Sequence, residues 1–224
     1  MRKGVDTHAL LTLFATLLAV ALPLQILVAG TSIAHPDPEQ FAELHRQDGF
    51  WLRATLTFLY FPAAIVLHLL VQAAAERRRT AFLAGFYLFL LGNGIDLLFR
   101  SIQFLVAHGV WAAQLLEAVA PAERAAARAK LVAFDEIAAA FGFAFSLLFA
   151  FGRSLMGGAL LAASTVWARL AGIGLVATGA FNAIFALTAV PSFAFIAQAA
   201  PLYPWVWLAG LVALGIAAWH ADRN

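Results

Sequence analysis

Asp96 and Arg100 stand four residues apart in LLGNGIDLLFRSIQ (90–103), inside a run otherwise apolar enough to cross a membrane. On a helix that spacing puts a carboxylate and a guanidinium on one face, in reach of each other. At 100° per residue, Gly85, Phe89, Gly92, Asn93, Asp96, Arg100 and Gln103 share one helix face. An ionised side chain against lipid costs roughly 2.5–3.5 kcal/mol on insertion scales, so this face must turn into protein or a wet cavity. Other apolar runs carry polar residues at helical spacing. One has Thr57, Tyr60, Ala64 and His68; another has Gly174, Thr178 and Asn182. A third has the small-residue stripe Asp135, Ala139, Gly142, Ser146, Ala150, Arg153 and Gly157, with Glu136 beside it; Gln25 follows Pro23 in a fourth. The candidate binding residues are therefore Asp96, Arg100, Asn93, Tyr60, Asp135, Glu136 and Asn182. Two readings of them stay open: a structural ion network, or a polar pocket in the outer half that opens to the extracytoplasmic side. Proton or ion translocation is a third. In the pocket reading, Asp96, Asp135 and Glu136 outnumber the single intramembrane Arg100, which favours cationic or hydrogen-bond-donating ligands.

Other chemistries find little support. With no cysteine there is no disulfide, thiolate metal site or cysteine nucleophile. Lys3 and Lys130 both lie outside the middle of the apolar runs, which argues against a retinal Schiff base. His68 and His108 fall at depths differing by well over ~15 Å at the helical rise, too far apart to ligate one haem. His35 and His45 match no metal-ligand spacing. Ser146 has no base within reach on its own helix. No catalytic residue, metal or cofactor is expected. A net charge of +2, with basic residues scattered or in one short run, does not suit nucleic acid.

The elements that must carry these side chains follow from composition. Of 224 residues, 63% are hydrophobic and 12% charged, against about 45–50% and about 25% in soluble domains. Six apolar runs, 9–30, 51–75, 81–107, 131–152, 170–190 and 202–219, each approach the roughly 20 residues a spanning helix needs. The first is longer than the roughly 7–15 residues of a signal-peptide core and is read as a retained span. The expectation is an all-α, six-transmembrane-helix bundle in a single domain, residues 1–224.

Orientation follows from Lys and Arg, which favour the cytoplasmic side. With both termini cytoplasmic, Arg2, Lys3, Arg77, Arg78, Arg79, Arg153, Arg169 and Arg223 lie inside; Arg46, Arg53, Arg124, Arg128 and Lys130 lie outside. Trp51, Trp111, Trp205 and Trp207 then sit at outer ends, and Trp167 and Trp219 at inner ones, as headgroup-seeking rings should. In the first outer loop, Asp37 and Pro38 begin a short helix with Phe41 and Leu44 on its apolar side, expected to lie on the membrane. Pro121 begins span four outside the membrane, and the helix runs about 50 Å to Gly157 and Gly158. Residues 154–168 either extend that span or lie in the interface.

FGRSLMGGALLAASTVWARLAGIGLVATG and GFYLFLLGNGIDLLFRSIQFLV resemble the fourth-to-fifth and third spans of a large bacterial six-helix membrane family, catalogued as a domain of unknown function. The resemblance covers spans two to five. Where that family has a proline before its fifth span, this chain has Thr165, Val166 and Trp167. The resemblance implies a polytopic membrane fold and transfers no active site. Together these readings point to a multi-pass inner-membrane protein. It would bind a small molecule or lipid in transport or sensing, or serve as a non-catalytic accessory subunit. Its expected partners are the bilayer and a membrane protein or a second copy of itself.

Overall fold

The computed structural model describes residues 6–29, 37–44, 46–188 and 198–221. Arg2, Lys3, His35, His45, Arg223, and the ends of the first and fifth expected spans at Gly30 and 189–190, lie outside the described residues. Every described element is helical: α1 (Thr7–Ala29), α2 (Pro38–Leu44), α3 (Asp48–Val71), α4 (Arg79–Ser101), α5 (Ala113–Glu117), α6 (Pro121–Leu161), α7 (Val166–Thr188) and α8 (Tyr203–Ala221).

Among the described residues, five helical segments are long and apolar enough to cross a membrane. One of them, Gly49–Glu117, is 69 residues long and would reach about 100 Å if straight. It is not straight. A 3-10 turn, Gln72–Arg78, interrupts it, with Ala75 at φ −89°, ψ 22° and Arg78 at φ −132°, ψ 34°. The limbs fold back on each other, so that the His68 and Phe89 rings lie 4.2 Å apart and Phe50 and Phe104 5.5 Å apart. Arg77, Arg78 and Arg79 occupy the hairpin tip.

Inside the bundle α6 packs between α4 and α7, and α8 touches α7, α1 and α3. Lipid offers no hydrophobic force between helices, so association depends on close backbone approach at small residues. Here that approach is made by facing glycines. A Cβ on Gly85 of α4 would fall 2.6 Å from the Gly152 carbonyl oxygen of α6, and one on Gly157 of α6 would fall 2.7 Å from the Gly172 carbonyl oxygen of α7. Gly174 of α7 meets Gly210 of α8 in the same way. The outward faces stay apolar: Phe14, Leu91, Phe151 and Ile173 are all more than half exposed. On a water-soluble protein such a surface would drive association; it suits lipid contact.

Three expectations change in detail. Asp37 caps α2 through its Oδ1, which accepts the Glu39 and Gln40 amides at 3.0 Å each. The helix does not simply rest on the membrane, however: Phe41 stacks on His108 at 3.8 Å, and Ala42 is fully buried. The α4 helix continues as a π-helical stretch, Ile102–Ala112, which directs Phe104, Ala107, His108 and Ala112 inward. The α6 helix passes Gly157 and Gly158 and ends at Leu161, about 62 Å from its start. Residues 154–161 thus extend it. Arg169 then holds the turn, donating to the Ala163 and Ser164 carbonyls at 3.0 and 2.9 Å.

Candidate functional site

The α4 face behaves locally as its spacing suggests. Arg100 Nε donates to Asp96 Oδ1 at 3.1 Å, and Arg100 Nη1 donates to Gln103 Oε1 at 2.8 Å. The Asp96 side chain is 13% exposed and that of Arg100 25%. Arg53 of α3 lies close enough for its charge to oppose that of Arg100. Asn93, one turn deeper, is buried; its Nδ2 donates to the Phe89 carbonyl at 2.7 Å, while its Oδ1 has no partner.

The other expected site residues do not gather around this pair. Asp135 and Glu136 are exposed on α6. Glu136 borders a shallow surface hollow with Arg128, Val132 and Ala133. The stripe that contains Asp135 therefore divides: its lower half, Ala150, Arg153 and Gly157, is buried among other helices, whereas Asp135 and Ala139 face outward. Asn182 is buried on α7, and its Nδ2 donates to its own helix at the Thr178 carbonyl, 2.7 Å away.

Tyr60 belongs to a different centre. Its hydroxyl accepts from Arg153 Nη2 and from Trp207 Nε1, each at 3.2 Å. Arg153 Nη1 donates to the Tyr203 hydroxyl at 3.3 Å. The guanidinium also lies over the Phe149 and Phe89 rings, 5.0 and 5.7 Å from their centroids, where the negative ring faces stabilise a cation. Arg153 is 4% exposed. Among the described residues no carboxylate lies within 4 Å of it; Asp96 acts on it electrostatically from farther away. Arg153 is therefore not an end-of-span residue on the cytoplasmic side, as its place in the sequence suggests, but a buried one. The α6 helix continues eight residues beyond it, about 12 Å at the helical rise, and draws it into the bundle.

Beside Arg153 lies a void of about 10 Å³, lined by His68, Thr178, Trp207, Gly210 and three leucines. That is the room one water needs. His68 Nδ1 bonds the Ala64 carbonyl at 2.7 Å. Only an N–H can bond a carbonyl, so Nε2 carries the lone pair of the neutral ring, and Nε2 is buried without a partner. Neither this void nor the hollow on α6 touches Asp96. The sequence held a signal for this centre, because Tyr60 and His68 share a face of α3 and Arg153 sits in a stripe of small residues. It held none for Tyr203 and Trp207.

The α4 pair yields a direct test. Arg100→Ala should lower stability by about 2 kcal/mol, since it strands a largely buried carboxylate. The double change Asp96→Ala/Arg100→Ala should cost less than Arg100→Ala alone. Unfolding in detergent measures both, and simple additivity would mean that the two groups do not interact.

Searches of family models, curated proteins and solved structures find no match to this chain.

Proposed function

We propose that this protein is a six-span integral membrane protein with both termini in the cytoplasm, and that it binds a small ligand or lipid group inside its bundle as part of transport or sensing. The observation that carries the ligand reading is Arg153: a buried guanidinium with no carboxylate in contact among the described residues, beside a void lined also by His68, whose buried Nε2 has no partner. Buried charges are ordinarily paired, and an ionisable group at membrane depth is by default a candidate site. In this reading the two limbs of the 49–117 hairpin cross separately. Arg77, Arg78 and Arg79 anchor its tip in the cytoplasm of a bacterial cell, whose inner membrane the protein occupies.

The topology test uses the absence of native cysteine. In intact cells, a cysteine at Arg78 should resist a membrane-impermeant thiol reagent and one at Glu43 should react. The reverse pattern would invert the orientation.

The ligand reading is tested by thermal unfolding in nanodiscs with sodium chloride, acetate, phosphate, choline and an anionic phospholipid as separate probes. At least one should raise Tm by several degrees in the native protein and not in Arg153→Met. If none does, the second reading stands, a non-catalytic accessory subunit. That reading is favoured by the mutual satisfaction of Asp96, Arg100 and Gln103.

A further inference from the structure

We infer that the void between Arg153 and His68 is a site for one halide-sized anion, which enters together with a proton carried on His68 Nε2. The inference rests on the ligand reading above and names the ligand class.

The donors at this centre outnumber its acceptors. A guanidinium has five N–H groups, and Arg153 uses two of them on the Tyr203 and Tyr60 oxygens. Those hydroxyls act as acceptors in every bond they make here, so their own hydrogens reach no described acceptor. Trp207 Nε1 is one more donor, already spent on Tyr60. A ligand that only accepts suits such a surplus, and an anion accepts most strongly.

Size narrows the class. The void has room for a single water-sized particle. A halide displaces roughly the volume of one water, whereas phosphate and gluconate are much larger. The rest of the lining is Gly210, three leucines, Thr178 and Trp207; the Thr178 hydroxyl is spent on the Gly174 and Leu175 carbonyls and Trp207 Nε1 on Tyr60, so no donor there is left over for a polyatomic ion.

The proton follows from the His68 tautomer. With Nδ1–H committed to Ala64, the neutral ring of this lining residue keeps a lone pair on its buried, unpartnered Nε2, and a lone pair repels an anion. A proton from solution forms an N–H bond at Nε2 and converts that repulsion into donation. One anion and one proton then enter with no change in net charge. The charged and titratable groups facing His68 are Arg153 from α6, with Tyr60 of α3 and Tyr203 of α8 held on it; Asp96 acts through Arg153. The α4 neighbour is the Phe89 ring and the α7 neighbour is Thr178. Of these groups around the void, His68 is the one whose ordinary titration range lies near neutrality.

The test measures Tm of the full chain in zwitterionic nanodiscs, with sodium chloride or bromide titrated against sodium gluconate at constant ionic strength, at pH 5.5 and pH 8. Chloride and bromide should stabilise relative to gluconate, with half-saturation at least tenfold lower at pH 5.5. His68→Phe, which keeps a ring against Phe89, should abolish the pH dependence, and Arg153→Met should abolish the halide effect. Should Arg153→Met fail to fold, the native protein and His68→Phe suffice. Equal half-saturation at the two pH values, persistence of the pH dependence in His68→Phe, or no difference from gluconate would each overturn the inference, the last leaving a site for water only. If acetate, phosphate or the phospholipid stabilises through Arg153 while halides do not, the ligand reading survives and the halide inference fails. If no probe acts, both fail.

Discussion

Removing both phenol oxygens from the centre, as Tyr60→Phe/Tyr203→Phe, is expected to cost about 3–5 kcal/mol, the range for breaking a buried charged interaction. Each hydroxyl accepts one Arg153 N–H, at 3.2 and 3.3 Å, and among the described residues no carboxylate is in contact to take over. Either single change leaves Arg153 one oxygen and should cost about 1.5–3 kcal/mol, as for a hydrogen bond to a charged group. Tyr60→Phe should be the worse of the two, because it also strands Trp207 Nε1. Adding Arg153→Met to the double change should restore much of the loss, since no charge is then left buried. Denaturant unfolding in mixed micelles would measure the cycle. If Arg153→Met makes the double variant worse, the guanidinium is not the group that the hydroxyls serve.

Gly157→Val in α6 is expected to destabilise by about 3 kcal/mol or more, at the upper end of overpacking costs. The new side chain would meet the Gly172 carbonyl oxygen at 2.7 Å and the Val176 amide nitrogen at 2.9 Å. Both obstacles are backbone, so no rotamer change relieves them and the helices must separate. Gly85→Val should behave similarly, since a Cβ there meets Gly152 and Met156 backbone atoms. The control is Gly142→Ala. A Cβ at Gly142 meets nothing within 4 Å, so the change should stabilise by about 0.5–1 kcal/mol through helix propensity alone. Comparable losses at Gly157 and Gly142 would contradict the seam drawn here.

What the sequence determined by itself is what depends on near neighbours and on composition. The helical class, the apolar exterior, the Asp37 cap and the Asp96–Arg100 ion pair all follow from residues within about one turn of each other or from bulk hydrophobicity. The 3.6-residue period also identified inward faces, including the one shared by Tyr60 and His68. It could not say which inward faces meet. Arg153 joins Tyr60, 93 residues away, and Tyr203, 50 residues away, and no local pattern encodes those separations. The helix rotations and heights that bring them together are decided where Gly85 meets Gly152, Gly157 meets Gly172 and Gly174 meets Gly210. A single stripe on α6 illustrates the limit. Its spacing is uniform from Asp135 to Gly157, yet only its lower part is closed in by α4 and α7, leaving Asp135 and Glu136 outside and Arg153 within. Periodicity fixes the direction a side chain takes from its own axis; whether another helix stands in that direction is a property of the assembled bundle.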